Sequence, residues 1–356
     1  MPHLVVSISG HGFGHVAQTA PVLNQLHRLL PELRITLRSA VPLAHLQSRI
    51  IAPFEHLPSE GDIGMLMSSA IDVLADESRA AYRDFHRNWA ARVADETALL
   101  RDLRADLVLS NVGYLPLAGA QHAGISNAAL CSLNWFDIYR HYCGEDGISA
   151  VMREAYAGAD IFFRATPGMA MNEFTNVAPI APVADVGRNR RDELNRTLGL
   201  SHAEILVLVS LGGIASRLPM ERWPHIDGVR WLVQKSWQVD RPDAITLESL
   251  PFSFGDLLAS CDVLLTKPGY GSFVEATANG VPVLYVSRAD WPESTALTAW
   301  LQAHGNASEI SREQLDRGAL TEPLQDLLTR KRRVLQPTGA AEVAGWLATR
   351  LSASRH

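Results

Sequence analysis

The chain has 356 residues, 47% hydrophobic and 20% charged, which is enough apolar mass for two packed cores and too ordered a composition for a tail or linker. With 32 Lys and Arg against 38 Asp and Glu, the net charge of −6 argues against a surface that neutralises nucleic-acid phosphates or an anionic membrane. Three widely spaced cysteines, Cys131, Cys143 and Cys261, form no CxxC pair, so neither a disulfide framework nor a thiolate metal site is expected, and a reducing cytoplasm fits. The start, Met1-Pro2-His3, lacks the basic segment of a signal peptide, and no apolar run approaches the roughly 20 residues that cross a bilayer.

The first predicted element is an apolar, β-branched strand over 4–9 that stops at Gly10. A glycine-rich turn follows, then a helix over about 16–30 with Ala17, Ala20, Leu23, Leu26, Leu29 and Leu30 on one face. A strand over 35–38 comes next. Residues 70–103, free of Gly and Pro, read as one long helix or two abutting ones. Strands over 106–110 and 128–133 alternate with helices over 114–122 and 148–157. Such alternation predicts a mostly parallel sheet covered by helices on both faces.

At 178–183 the pattern breaks into a proline-punctuated connector, Ala-Pro-Ile-Ala-Pro-Val, the expected domain boundary. The second half then restarts the first. Strands are predicted over 205–210, 231–235, 263–266 and 281–286, and helices over 254–259, 272–279 and 294–304. The expected architecture is α/β: two facing, Rossmann-like, doubly wound domains over 1–180 and 184–340. A last helix over 340–351, in the terminal segment 341–356, can pack back on the first domain.

Two motifs carry candidate chemistry. Gly10-His11-Gly12-Phe13-Gly14-His15 opens a helix straight after the first strand, where glycines let a ligand approach the backbone and the helix N-terminus favours an anion. It is not a dinucleotide fingerprint, because His15 occupies the third glycine position and Arg38-Ser39 stands where a ribose-binding carboxylate would end the second strand; Arg38 leaves only NADP open. His11 and His15 titrate near neutrality and are catalytic candidates, against the simpler reading of a helix-start packing residue and a solvent-facing ring. The second motif is Thr266-Lys267-Pro268-Gly269-Tyr270-Gly271-Ser272-Phe273-Val274-Glu275, followed by Asn279-Gly280-Val281-Pro282. Here Ser272 and Glu275 either form a capping box, or the helix start binds a diphosphate while Glu275 accepts ribose hydroxyls.

These two turns, with Gly212-Gly213 at the equivalent turn of the second half, resemble the GT-B glycosyltransferases. The likeness is to the branch that contains the peptidoglycan N-acetylglucosaminyltransferases and to the glycosyltransferase-like N-terminal region of plant arabinokinases. It spans the whole architecture, while its motifs cover about 35 residues. The resemblance implies an inverting, metal-independent transferase moving a hexosyl or N-acetylhexosaminyl group from a nucleotide-diphosphate sugar, UDP-linked, to an unidentified acceptor. No cofactor is implied, since the nucleotide sugar is a co-substrate.

His15 would be the base or an oxyanion contact, with His11 beside it and Asp137 placed to orient a histidine. Gly12 and Gly14 would line the first turn. Gly212, Gly213, Gly269 and the amides of Gly271, Ser272 and Phe273 would face the diphosphate with Lys267, and Glu275 would hold the ribose. Phe252 would lie beside the nucleobase. Asp290 and Glu293 stand where the family presents an Asp-Gln pair to the sugar, and Asp290-Trp291-Pro292-Glu293 departs from that pair. A nucleotide-sugar hydrolase, a 2-epimerase or a non-catalytic sugar-nucleotide-binding module of the same fold would carry the same residues.

Among the remaining residues, Arg188, Arg190 and Arg191 read as a solvated helix start because Asp192 and Glu193 follow. Trp135, Phe136, Tyr139 and Tyr142 suit either an acceptor pocket or a core. No P-loop, HExxH or GxSxG motif occurs.

Overall fold

The structure, a computed structural model, describes residues 1–59, 61–213, 217–288 and 290–353. It divides into two compact units. The first comprises Met1–Ser68, Asp72–Val183 and the terminal stretch from Pro337, and the second Ser69–Ile71 and Ala184–Gln336.

In the first unit seven strands form one parallel sheet: β1 (His3–Ile8), β2 (Arg34–Arg38), β3 (Glu55–Leu57), β4 (Leu107–Asn111), β5 (Ser126–Cys131), β6 (Ile161–Ala165) and β7 (Val177–Ile180), in the order β3-β2-β1-β4-β5-β6-β7. Between them run α1 (Gly14–Leu29), α2 (Leu43–Arg49), α3 (Ala75–His86), α4 (Trp89–Asp102), α5 (Tyr114–Ala123), α6 (Trp135–Cys143) and α7 (Gly147–Ala157). In the second unit β8 (Ile205–Ser210), β9 (Val229–Val233), β10 (Ala244–Thr246), β11 (Val263–Thr266), β12 (Val283–Val286) and β13 (Ala307–Ile310) form a parallel sheet ordered β10-β9-β8-β11-β12-β13. Its helices are α8 (Arg191–Leu198), α9 (Phe254–Ser260), α10 (Tyr270–Ala278), α11 (Ser294–His304), α12 (Arg312–Arg317) and α13 (Thr321–Thr329). The last helix, α14 (Gly339–Ala353), belongs to the first unit: it packs along α1, Gly339 N–H donates to Pro182 O at 3.1 Å, and Trp346 meets Phe163 of β6 edge to face at 5.4 Å.

Both sheets are doubly wound. In each, the first strand lies between strands reached by opposite crossovers, which makes a switch point between β1 and β4 and another between β8 and β11. The central strands are buried on both faces, which is why they read as unbroken apolar runs: every residue of β1 is buried, as is all of β8 beyond Ile205.

The stretch predicted over 70–103 is two helices, broken between His86 and Trp89. Several predicted boundaries move. The proline-rich stretch begins as strand β7, whose Pro179 is tolerated because β7 pairs only with β6 at the sheet edge. The strand expected over 128–133 is β5, and the aromatic residues after it start α6, capped by Asn134 accepting from Asp137 N–H. Lys235, expected at the end of a strand, lies in a single 3₁₀ turn. Helix α10 begins at Tyr270, two residues before Ser272.

Candidate functional site

In the first unit, β1 ends at Ile8, in register with Asn111 at the end of β4, so the glycine loop after β1 opens at the switch point. Gly12 has φ +80, a left-handed conformation that a side chain resists. The equivalent turn after β8 repeats it, with Gly212 at φ +84. Helix α1 then starts at Gly14 with no side-chain cap, and Ala17 N–H donates to Phe13 O, so by helix geometry the amides of Gly14, His15 and Val16 lack intrahelical acceptors.

His15 is buried (5% exposed), and its Nδ1 lies 2.8 Å from Asn111 Oδ1 and 3.7 Å from Cys131 Sγ. A chain of hydrogen bonds fixes its tautomer. The backbone N–H of Ser132 donates to Gln18 Oε1, and Gln18 Nε2 donates to Ser132 Oγ, which sets the Gln18 amide. Asn111 Nδ2 points to the same Gln18 oxygen, turning Asn111 Oδ1 towards His15. Nδ1 therefore carries the proton and Nε2 the lone pair. Burial lowers the His15 pKa from 6.5 to about 4, against the Asn111 hydrogen bond that raises it, so the ring is neutral at pH 7.

His11 meets Trp135 edge to face at 5.2 Å, and the same indole lies 5.9 Å from the His15 ring. The loop 61–64 packs over His11 so tightly that a side chain on Gly64 would come within 2.7 Å of it. Asp62, in that loop, accepts from Trp135 Nε1 at 2.6 Å and from Ser9 Oγ at 3.0 Å, and Ser9 Oγ accepts from the His11 N–H at 3.2 Å. Burial raises the Asp62 pKa from 3.8 to about 6, against the two hydrogen bonds that lower it. Asn111, Asp62 and Ser9 were beyond motif reading, whereas the sequence reads Trp135 as either pocket or core. The signal that would have found them is position: each lies just after, or ends, a strand on the carboxyl side of the sheet.

Asp137 does not orient a histidine. Its carboxylate accepts from Asn134 Nδ2 at 2.8 Å and pairs with Arg140 at 3.3 Å, both within the start of α6, and Asn111 takes the role assigned to it. Trp135, Phe136 and Tyr139 are buried, so the aromatic run is mainly core. Arg38 is committed to Glu96 and to Ser59 Oγ, leaving it no role as a 2′-phosphate ligand.

In the second unit the turn after β11 holds Lys267, Gly269, Gly271 and Ser272 at the start of α10. The capping box does not form: Gly269 is the cap, no side chain caps the helix, and Glu275 is buried (4% exposed) one turn into α10. Phe273 N–H donates to Gly269 O at 3.1 Å and its ring packs on Tyr285, so the amide expected to meet a diphosphate is taken; those of Gly271 and Ser272 have no intrahelical acceptor by position. Burial and Arg288 lower the Lys267 pKa from 10.5 to about 8, while Glu293 raises it. Glu293 is buried and accepts from Trp291 Nε1 at 3.2 Å, Arg288 lies over the Trp291 ring at 4.1 Å, and Asp290 sits exposed in the turn before them. Phe252 is covered by Arg190 at 4.7 Å. Gly213 is exposed in the turn after β8, next to residues outside the described set. Arg191 is not on a solvated face: it pairs with Asp262 at 2.6 Å and donates to Ser260 O at 3.3 Å, tying α8 to the end of α9.

Among the described residues, no three His, Cys, Asp or Glu side chains converge to hold a metal ion, and no helix is long and apolar enough to cross a membrane.

No family model matches the sequence. The chain is 24% identical over 365 residues to the L-arabinokinase of Arabidopsis thaliana, covering 99% of this chain and 35% of that protein, so it spans about a third of that relative's length. It is 27% identical over 276 residues to the UDP-N-acetylglucosamine--N-acetylmuramyl-(pentapeptide) pyrophosphoryl-undecaprenol N-acetylglucosamine transferase of Thermus thermophilus, covering 68% of this chain and 73% of that one. Among solved structures, the glycotransferase of kitacinnamycin superposes with a TM-score of 0.60 at 16% identity, over 99% of this chain and 95% of that one. The fold is GT-B, with two Rossmann-like units.

Proposed function

We propose that the chain is an inverting, metal-independent glycosyltransferase acting in the cytoplasm, which moves a hexosyl or N-acetylhexosaminyl group from a UDP-linked donor to a hydroxyl acceptor. The observation that carries this reading is the His15 tautomer, with the lone pair on Nε2 of a neutral imidazole at the glycine loop. Nε2 takes the proton of the acceptor hydroxyl as its oxygen attacks the anomeric carbon; the bond from that carbon to the diphosphate breaks on the opposite face, and its electron pair leaves with the nucleotide. The second unit carries the candidate donor site. Lys267, the amides of Gly271 and Ser272, and the positive end of α10 meet the developing diphosphate charge, while Glu275 accepts ribose hydroxyls. Glu293 and Asp290 address the sugar. The Thermus relative, whose name carries UDP-N-acetylglucosamine, supports the choice of UDP, and three cysteines that form no disulfide support a reducing compartment.

The test is calorimetric titration of the wild type and Glu275→Ala with UDP, GDP, dTDP, ADP and NADP, without added metal. Binding of UDP that is lost in Glu275→Ala supports the donor site. Binding of NADP alone, or of no nucleotide, removes the reading.

A further inference from the structure

Around the glycine loop one carboxylate joins parts of the chain that are far apart in sequence. Asp62 Oδ1 accepts from Ser9, the first residue after β1, and Asp62 Oδ2 accepts from the indole N–H of Trp135, the first residue of α6. Ser9 Oγ holds the His11 N–H, the Trp135 ring touches both imidazoles, and Gly64 of the same loop lies on His11. The backbone of Trp135 is fixed separately, its N–H donating to Tyr156 OH, which itself donates to Val112 O. The buried indole is then oriented by the packing around it and by the hydrogen bond of its N–H to Asp62.

We propose that Asp62 is a positioning residue of the glycine loop: its two carboxylate oxygens clamp Ser9 and Trp135 and thereby hold the rings of His11 and His15 in their working orientation. An ionised carboxylate accepts from both donors at once; protonation at Oδ1 forces the Ser9 hydroxyl to reverse and takes the charge away from the hydrogen bond to the indole N–H, while protonation at Oδ2 breaks that bond, so the clamp on Trp135 weakens either way. The groups that face Asp62 are His11 and, through the indole, His15 from the glycine loop and α1, Tyr82 from α3, Tyr114 from α5 and Tyr156 from α7. The three phenols are held well above their usual pKa and His15 is lowered to about 4, so these four keep one charge state between pH 5 and 8. Asp62, raised to about 6, changes charge within that interval.

The proposal rests on the transferase reading only in its kinetic arm. The structural arm follows the Trp135 indole N–H by NMR in the full chain labelled with ¹⁵N-tryptophan, the signal being assigned with Trp135→Phe. A titration with a midpoint near pH 6 in the wild type, absent in Asp62→Asn and retained in His11→Gln, is expected. The kinetic arm expects kcat/KM to fall on the acid side with the same midpoint, and Asp62→Asn to lower kcat about 10- to 100-fold, as for a misplaced catalytic group, with little change in donor KM. An indole signal flat from pH 5 to 8 in the wild type overturns the clamp, as does a titration that survives Asp62→Asn or vanishes in His11→Gln. A clamp seen by NMR with an unchanged kcat in Asp62→Asn overturns the positioning role. A protein that turns over no donor removes the transferase reading and leaves the indole signal to decide the clamp.

Discussion

His15 and Asp62 are shifted in opposite directions by the same burial, and folding stability must carry both signatures. His15 is held at about 4 against 6.5 in the unfolded chain, so the unfolded state binds the proton first and stability is lost as pH falls from 6.5 towards 4. Integrated between pH 7 and 5, that loss is about 2 kcal/mol. Asp62 is held at about 6 against 3.8, so the folded state binds the proton first and stability is gained as pH falls from 6 towards 3.8. Over the same interval the gain is at most about 1.3 kcal/mol, reduced further because part of Asp62 remains open to solvent. The two partly offset each other in the wild type and are separated by substitution. Relative to the wild-type change as pH falls from 7 to 5, His15→Gln should gain about 2 kcal/mol because the His15 loss is gone, and Asp62→Asn should lose at most about 1.3 kcal/mol because the Asp62 gain is gone. His45, also lowered to about 4 by burial, acts with the sign of His15 but is common to both variants and drops out of their difference. Urea unfolding of the three proteins at half-unit pH steps measures this, with each kcal/mol also moving Tm by about 2–4 °C. Parallel pH curves for the two variants would refute the opposed shifts and with them the division of charge at this site.

Removal of the imidazole in His15→Ala should lower kcat about 10²- to 10⁴-fold while the calorimetric affinity for UDP is unchanged. Asn111→Asp places a carboxylate 2.8 Å from His15 Nδ1 and should raise the His15 pKa by about 1 to 3 units, read from its imidazole NMR signals; an unmoved titration would show that Asn111 is not the partner. Glu96→Ala strands the buried Arg38 guanidinium and should destabilise the fold by about 3–5 kcal/mol in chemical denaturation, with no effect on nucleotide affinity. Gly12→Ala forces a side chain into φ +80 and should cost about 1–2 kcal/mol of stability together with activity, whereas Gly14→Ala, whose added Cβ meets nothing within 4 Å, should be tolerated by the fold.

The central strands were legible because a strand buried on both faces leaves an unbroken apolar run, as in β1 and β8. The edges were not: β3 is three residues of mixed polarity, and β7 contains Pro179, which reads as a break until its place at the sheet edge is known. The start of α10 was misplaced because Tyr270-Gly271 has no capping side chain and a glycine in the first turn, so Ser272 with Glu275 offered the stronger local signal. The turns after β1 and β8 were legible because a left-handed residue after a strand demands glycine, as at Gly12 and Gly212. Their partners were not, because Asn111 reaches His15 only through the pairing of β4 with β1, a hundred residues apart, and Asp62 reaches Trp135 across 73.

The buried and half-buried charges of the two units sort by what satisfies them. Arg38 with Glu96, Arg191 with Asp262 and Arg241 with Asp243 are ion pairs in which each member supplies the other's countercharge, and they tie elements together away from the glycine turns. His15, Asp62 and Lys267 differ. Each is moved from its ordinary pKa chiefly by burial, each towards its neutral form, and each stands where a strand at a switch point gives way to a loop, or in a loop bonded to one. Holding an ionisable group there costs stability that a nonpolar residue of similar size would not. An ion pair explains the first set by structure alone. The second set is held by burial and, for His15 and Asp62, by hydrogen bonds, and its place at the turns after β1 and β11 is what the proposed function draws on when it gives the proton to His15 and the diphosphate to the start of α10.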